Sequence, residues 1–206
     1  MVHYKLVYFP VRARAEISRQ IFAYAGQEFE DHVVTFEQWP ALKNHTPFGQ
    51  LPILEVDGKQ LGQSYAIARF LAQQFGIAGK NELEKAEVDA LADQFKDYAN
   101  DVQPYFSVLA GFKPGDKNEL RAEVFVPNFQ KHFAFFEKKL AENGSGFLVG
   151  NSLTWVDLLI SQHVQDVLET DLTVVEQFGK VLAHRKKVQN LERIKQWIAT
   201  RPDYPF

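Results

Sequence analysis

Hydrophobic and polar residues follow two different periods along this chain, and the period changes near residue 78. Residues 3–9 alternate and are rich in β-branched and aromatic side chains, which predicts a strand. Apolar positions at helical spacing then predict a helix over 14–25, which Gly26 ends. The remaining elements of this part are a strand, an irregular connector, a hairpin and a helix, at 29–34, 39–44, 51–61 and 64–76. The order βαβ, connector, ββα predicts a small α/β domain of roughly 80 residues.

Beyond the change the alternating pattern disappears, and apolar residues recur at helical spacing. One such stripe covers 88–109, and Pro104 inside it predicts a kink. A second helix is predicted over 118–143. Thr154 and Asp157 form a capping-box pattern at the start of the next helical stretch, which continues almost to the end of the chain. This part of the chain is therefore predicted to be all-α.

Composition and charge narrow the class of protein. The chain has 206 residues, of which 46% are hydrophobic and 24% charged, as in an ordinary globular protein. A formal net charge of −3 gives no electrostatic basis for binding nucleic acid or an anionic membrane. We expect no signal peptide and no membrane span, because Met1 leads directly into a strand and no apolar run is long enough.

Cysteine is absent from the chain. No protein thiol can therefore act as a nucleophile, redox centre or metal ligand, and a reducing, cytoplasmic location is the default expectation. The six histidines contain no pair spaced four residues apart, so we expect no metal site. Dinucleotide-binding, P-loop and serine-hydrolase motifs are also missing.

The segment from Pro47 to Ser64 carries the strongest candidate chemistry. Pro52 stands at the mouth of a predicted strand, which leaves the backbone groups of Leu51 free of the ladder. Ser64 opens a predicted helix, whose free N–H groups suit a carboxylate. Together these features indicate the two ends of a site that holds a short peptide by its backbone.

The chain as a whole resembles the cytosolic glutathione transferases, most nearly in the pattern of the sigma class of helminths and of the prostaglandin-isomerising members. The resemblance implies an α/β plus all-α fold, with a thioredoxin-like domain over 1–78 and an all-helical domain over 82–206, working as a homodimer. The matching pieces are YKLVYF at 4–9, RAE at 14–16, Trp39 with Lys43, PFGQLPILEVDG at 47–58, Gln63-Ser64, AIARFLA at 66–72, SLTWVD at 152–157, Trp197-Ile198 and Arg201-Pro202.

Tyr8 matches the catalytic tyrosine of this family, at the end of the first predicted strand. A free cysteine thiol has a pKa of about 8.5 and is mostly protonated at neutral pH. A hydrogen bond donated to the thiolate favours the ionised form, and lowering the pKa by about two units requires roughly 2.7 kcal/mol. The resemblance thus implies that glutathione supplies the nucleophile as cosubstrate, and that the enzyme has no resident cofactor.

The resemblance also assigns residues that hold glutathione. Leu51 would pair its backbone with the cysteinyl unit as an added strand, and Pro52 would hold a cis bond. Gln63 and Ser64 would bind the γ-glutamyl carboxylate at a helix N-terminus. The other residues that the family pattern places at glutathione are Arg14, Trp39, Lys43, Gly49, Gln50 and Asp97, with Lys43 countering the glycyl carboxylate and Asp97 reaching the γ-glutamyl amine across the dimer.

One residue near the site departs from the family pattern. The family has glycine where this chain has Ala13, between Arg12 and Arg14. If that position requires a positive φ, alanine costs about 1 kcal/mol or shifts the turn. The shape of the loop from Pro10 to Arg14, which borders the expected site, therefore depends on the φ of Ala13.

Four aspartates recur every fourth residue on the first long predicted helix: Asp89, Asp93, Asp97 and Asp101. Like charges at this spacing repel by a few tenths of a kcal/mol each. The stripe is either a solvated face or a surface near the dimer interface that meets cations such as Arg69 of the second copy. Phe48 is a candidate plug into that copy, by resemblance.

The family resemblance implies conjugation of the glutathione thiolate to small hydrophobic electrophiles, with peroxidase or prostaglandin-isomerase side activity as a further expectation. The alternative is a non-catalytic carrier of the same fold, for haem, lipid or other apolar ligands. We expect the electrophile where the two domains meet, with an apolar wall drawn from Phe9, Val11, Tyr105, Phe106, Leu109 and Phe206.

Overall fold

The structure is a computed structural model that describes residues 2–205. It divides into two compact units. The first contains the chain up to Ala78 together with the chain from Val188 onward, and the second contains Gly79–Lys187.

The first unit is built on a mixed sheet with the strand order β2-β1-β3-β4. Its strands are β1 (Tyr4–Tyr8), β2 (Glu30–Val33), β3 (Ile53–Val56) and β4 (Lys59–Gly62). β1 pairs in parallel with β2 and antiparallel with β3, and β3 pairs antiparallel with β4. The predicted Asp57-Gly58 turn joins the last two strands, with φ values of 48° and 82° that suit a primed hairpin turn.

Side chains of β1 alternate between the two faces of the sheet. Leu6 and Tyr8 pack with Ala15, whereas Val7 packs on the other face with Val34 and Ile53. The helices of this unit that precede residue 79 are α1 (Ala13–Ala25), α2 (Trp39–Leu42) and α3 (Ser64–Gln74), with a short 3-10 turn at Lys43–His45. This βαβ, connector, ββα order is the thioredoxin-like arrangement that the resemblance implies, so the prediction for the first part of the fold is confirmed.

Helices make up the rest of the described chain. They are α4 (Glu82–Asp101), α5 (Gln103–Leu109), α6 (Lys117–Leu120), α7 (Val126–Asn143), α8 (Trp155–Thr170), α9 (Leu172–Val175), α10 (Gly179–Gln189) and α11 (Glu192–Thr200). The prediction of an all-α second part is confirmed.

Two details of the helical part have local causes. The stripe over 88–109 breaks between α4 and α5 at Val102, where Pro104 occupies the first turn of the new helix. The helix predicted over 118–143 is instead α6, a five-residue π-turn at Arg121–Phe125, and α7. The π-turn adds a residue to one turn without interrupting the helical course, so the hydrophobic period alone does not reveal it.

The division of the chain differs at its end from the expected helical domain over 82–206. Residues from Val188 onward belong to the first unit, because α11 packs against α1. Arg193 Nη1 donates to the Tyr24 carbonyl oxygen at 2.9 Å, which ties these two helices together. Within residues 2–205, no helix is both long and apolar enough to cross a membrane.

Candidate active site

Tyr8 is the last residue of β1 and is 6% exposed. Its carbonyl oxygen accepts a hydrogen bond of 2.8 Å from the Val34 N–H, which extends the pairing of β1 with the chain after β2. Its side chain packs with Leu6 and Ala15. The backbone and ring of Tyr8 are therefore held by the sheet and by the first turn of α1.

Opposing effects act on the Tyr8 hydroxyl. Burial raises its pKa and is the largest effect. A hydrogen bond from the backbone N–H of Arg14, and the positive charges of Arg14 and Arg19, lower the pKa by less. The net direction is upward, so Tyr8 is a neutral hydroxyl at physiological pH and can donate its proton in a hydrogen bond.

Ala13 begins α1 with a φ of 30°, in the left-handed region that side chains rarely adopt. The sequence left open whether position 13 needs a positive φ, and the structure shows that it does. The side chain of Arg14, the next residue, is exposed, while its backbone N–H points to Tyr8. The strained residue, Ala13, therefore directly precedes Arg14, whose backbone N–H bonds to the Tyr8 hydroxyl.

The Leu51-Pro52 bond is cis, as the family resemblance implies. The register of β3 with β1 begins at Ile53, opposite Val7, so Leu51 lies outside that ladder. The partly buried Leu51 side chain packs against the core clusters on both faces of the sheet. The Leu51 side chain is thus anchored in the core, whereas its backbone precedes the first residue of β3 that pairs with β1.

α3 begins at Ser64 without a side-chain hydrogen bond at its N-cap, Gln63. The first N–H groups of a helix have no partner within the helix, and here no capping side chain occupies them. Gln63 has a φ of 72° and is exposed. Its Nε2 donates to Gln50 Oε1 at 3.3 Å, so the structure brings together two of the residues that the sequence assigns to glutathione.

Trp39, Lys43 and Gly49 lie on or next to the connector that carries α2. The Trp39 ring meets the Phe9 ring edge-on at 5.8 Å between centroids, beside Tyr8. Gly49 has a φ of 61°, and a Cβ at this position would lie 3.6 Å from Lys43 Cε. Glycine is therefore required here by the backbone rather than by crowding.

A cavity of about 150 Å³ lies in the first unit on the sheet face of Val7. Trp39 and Leu51 are among its lining residues and Tyr8 is not. Since Val7 and Tyr8 are adjacent on β1, their side chains point to opposite faces. The cavity is consequently not the place where the Tyr8 hydroxyl acts.

Asp97 belongs to α4 of the second unit and is exposed, as is Asp93. Asp101 of the same stripe has a role inside this unit: its Oδ2 lies 3.1 Å from His132 Nε2 and 4.0 Å from Lys131 Nζ. Part of the acidic stripe thus has partners in the same chain. The sequence missed this pairing, because His132 lies on another helix.

The apolar residues proposed for the electrophile fall in both units. Tyr105 is 3% exposed and stacks on Phe125 at 4.7 Å between centroids, within the aromatic core of the second unit. Phe9 and Val11 pack around Leu6, Tyr8 and Ala15 in the first unit. Phe206 lies outside the described residues.

Sequence reasoning missed a buried charge network in the first unit. Arg19 is 1% exposed, and Glu16 is 2% exposed with its Oε1 accepting from Trp197 Nε1 at 2.9 Å and from Arg201 Nη1 at 2.7 Å. Charged side chains at these positions of α1 signalled only a polar helix face. The partners from α11 and beyond lie far along the chain, so nothing local reveals them. Within residues 2–205, no group of three or more histidine, cysteine or carboxylate side chains is placed to hold a metal ion.

The fold places this chain among proteins with a thioredoxin-like unit followed by helices. The family model described as "Glutathione S-transferase, N-terminal domain" matches residues 3–73, and "Glutathione S-transferase, C-terminal domain" matches residues 100–201. The chain is 75% identical to "Probable glutathione S-transferase 6" of Caenorhabditis elegans, over all of both chains. It therefore belongs to the glutathione S-transferase family.

Solved structures agree with this family. A nematode-specific enzyme of C. elegans is 53% identical with a TM-score of 0.96, and a Nu-class enzyme from Haemonchus contortus is 51% identical with a TM-score of 0.92; all of each chain is covered. An enzyme of Necator americanus described as monomeric is 48% identical, with a TM-score of 0.97 and 99% of this chain covered. Prostaglandin synthase D of Nilaparvata lugens is 34% identical over 97% of this chain, with a TM-score of 0.86.

Proposed function

We propose that Tyr8 is the catalytic residue of this glutathione transferase and that its hydroxyl donates a hydrogen bond to the thiolate of bound glutathione. The position of Tyr8 carries this proposal, because it ends β1 and packs beside Phe9 and the first turn of α1. Its hydroxyl is neutral and can donate. The Arg14 N–H occupies an acceptor position on the Tyr8 oxygen, which leaves the hydroxyl proton for the substrate. A hydrogen bond to the charged form lowers the thiol pKa and supplies the nucleophile.

The backbone features of the first unit support the way in which glutathione is held. Leu51 stands before the paired strand and offers its N–H and C=O to the cysteinyl unit. The uncapped start of α3 at Gln63 and Ser64 offers N–H groups to the γ-glutamyl carboxylate. The remaining residues proposed to contact glutathione are Arg14, Trp39, Lys43, Gly49 and Gln50 of the same chain and Asp97 of a second copy.

We further propose that the second substrate is a small hydrophobic electrophile, with a detoxifying role in the cytoplasm. The likeness to prostaglandin synthase D supports isomerase or peroxidase side activity on lipid-derived substrates. The higher identity to the Nu-class structure supports a Nu-like class rather than the sigma class. A carrier without catalysis is less favoured, because it has no need of a neutral hydroxyl donor at the end of β1.

Conjugation of glutathione to a chromogenic aryl halide tests the proposed activity. Wild-type protein should turn over, and Tyr8→Phe, which removes only the hydroxyl, should lose about a hundredfold or more in kcat/KM. Tyr4→Phe is the matched control, since Tyr4 is also buried on β1 and is not proposed to touch glutathione. Inactive wild-type protein that binds apolar ligands tightly would instead establish the carrier.

A homodimer is the proposed assembly, and one relative is described as monomeric. Phe48 supports the proposal because it is 63% exposed, and aromatic side chains are enriched among the residues that anchor protein interfaces. Asp93 and Asp97 leave an acidic surface on α4 for cations of a second copy. Analytical sedimentation of wild type, Phe48→Ser and Asp93→Lys tests the oligomeric state. Both variants should shift towards monomer, and a monomeric wild-type protein would refute the dimer.

A further inference from the structure

Arg19 occupies an unusual position in α1, because its charged side chain is 1% exposed. Its Nε donates to Asp31 Oδ2 at 3.0 Å, and its Nη1 donates to the Val11 carbonyl oxygen at 3.0 Å. A buried guanidinium is expensive unless it is paired and hydrogen-bonded. The fold therefore fixes Arg19 in one orientation, with one end on β2 and the other on the loop that follows β1.

That loop connects Tyr8 to the N–H of Arg14, and successive backbone groups in it are held. Val11 N–H donates to the Phe9 carbonyl oxygen at 2.7 Å, and Arg12 N–H donates to the Pro205 carbonyl oxygen at 2.8 Å. The Val11 carbonyl oxygen receives Arg19. The loop thus has three attachments immediately before the strained residue Ala13.

The C-terminal segment supports the same arrangement. The Tyr204 ring lies 5.4 Å from Arg19 Cζ, in a cation–π arrangement. Glu16 lies 3.8 Å from Arg19 Nη1 and accepts from Trp197 and Arg201. Residues far apart in the chain therefore converge on the side chain that holds the loop.

We propose that Arg19 is a positioning residue for the Tyr8 hydroxyl, because its bond to the Val11 carbonyl fixes the loop that brings the Arg14 N–H to the Tyr8 oxygen. The proposal rests on the proposed role of Tyr8. Without Arg19 the loop loses its buried attachment, and the orientation of the Tyr8 proton is no longer maintained. The acidity of bound glutathione then falls, while the proposed glutathione contacts at Leu51 and Ser64 stay in place.

The test titrates the thiolate of bound glutathione by its ultraviolet absorbance in Arg19→Gln, Arg19→Lys and wild type. Both variants should raise the thiol pKa by about one unit and lower kcat/KM about tenfold below that pKa. The KM for glutathione should change by less than about threefold, since uniform binding is retained. Arg19→Lys keeps the charge but cannot reach Asp31 and Val11 together, so it should not restore the wild-type pKa.

Arg193→Lys is the matched control. Like Arg19, Arg193 donates from its guanidinium to a backbone carbonyl oxygen. Its acceptor is Tyr24, near the C-terminal end of α1, and not Val11 in the loop before this helix. Arg193→Lys should lower the melting temperature without moving the thiol pKa. Tyr204→Ala, which removes only the ring over Arg19, provides a milder variant if the Arg19 variants do not fold, and should raise the thiol pKa in the same direction.

The outcomes separate the two proposals. If Tyr8→Phe leaves the thiol pKa unchanged, the proposed role of Tyr8 fails. If Tyr8→Phe raises it but the folded Arg19 variants, or Tyr204→Ala in their place, do not, Arg19 is structural only. Full restoration by Arg19→Lys would mean that its charge acts at a distance, which also overturns the positioning role.

Discussion

The starts of α1 and α3 in the first unit differ from the start of α8 in the second in how their free N–H groups are used. In the first unit, α1 and α3 begin without a capping side chain and next to residues of positive φ, Ala13 and Gln63. In the second unit, α8 begins at a buried capping box. Asp157 Oδ2 accepts from the Thr154 N–H and hydroxyl, each at 2.8 Å.

The difference separates two helix starts that we propose for binding from one that serves stability. Helix N-terminal N–H groups that side chains satisfy contribute to folding, whereas those left open are available to an anion or to another residue. At α1 the Arg14 N–H bonds to the Tyr8 hydroxyl. At α3 we propose that the backbone N–H groups after Gln63 bind glutathione. The first unit therefore has strained and uncapped starts at the two positions where we propose that the ligand chemistry takes place.

The largest effect should come from removing the cap of α8. Asp157 is fully buried and also accepts from the Leu148 N–H at 2.8 Å, with His184 Nε2 at 2.9 Å from its Oδ1. Asp157→Ala should lower the free energy of unfolding by about 3 kcal/mol or more, because several buried donors lose their acceptor.

Chemical denaturation measures this change, and Asp116→Ala is the control. Asp116 caps α6 at an exposed position, so its removal should cost only about 1 kcal/mol. Equal losses for the two variants would contradict the distinction between a buried and an exposed cap.

A second prediction concerns His163 of the second unit, which burial keeps neutral. Desolvation lowers the pKa of His163 to about 3, in the aromatic core of the second unit beside Tyr98. The unfolded chain binds this proton near pH 6.5 and the folded chain does not, so stability falls as the pH drops from 6.5 towards 3. At pH 5 the loss from this one group should be about 2 kcal/mol.

Unfolding free energies of wild type and His163→Gln, measured between neutral pH and pH 5, test the sign. The wild type should lose more stability than the variant on acidification. Parallel curves would show that His163 keeps an ordinary pKa in the folded state.

At the open start of α3, Ser64→Ala should weaken glutathione binding about tenfold, since a hydrogen bond to a carboxylate is lost. Calorimetric titration measures the affinity, and thermal unfolding should show little change because the hydroxyl makes no cap. Ser152→Ala in the second unit is the control. An unchanged affinity in Ser64→Ala would remove the serine hydroxyl from the proposed site.

The smallest effect concerns Ala13. Ala13→Gly should stabilise the protein by about 1 kcal/mol, because glycine adopts a φ of 30° without strain. Ala23→Gly, inside the same helix, should destabilise by a similar amount. Melting temperatures that fall in both variants would show that the loop does not hold Ala13 under strain.

Much of the fold follows from local pattern. The alternation over 3–9 and the Asp57-Gly58 turn correspond to β1 and to the β3–β4 hairpin, and the Thr154 and Asp157 spacing marks the start of α8. These features depend on neighbours in sequence, which a single sequence displays. The π-turn at Arg121–Phe125 is not displayed in this way, because it adds one residue to a single turn and the chain on both sides of it stays helical.

The candidate site was predictable only in part. Tyr8, the cis bond at Pro52 and the positive φ at position 13 followed from the family pattern, whereas the left-handed φ of Gln63 contradicts the ordinary preference of glutamine. The attachment of the loop to Arg19 and Pro205 depends on contacts between distant parts of the chain. No local signal carries such contacts, so a single sequence does not show that α11 packs against α1.

A crystal structure of the protein with bound glutathione would show where the thiol lies relative to Tyr8. We expect the glutathione sulfur within hydrogen-bond distance of the Tyr8 hydroxyl, the cysteinyl backbone paired with Leu51, and the γ-glutamyl carboxylate on the N–H groups at the start of α3. Glutathione bound with its sulfur away from Tyr8, or with its carboxylate away from Ser64, would contradict this expectation.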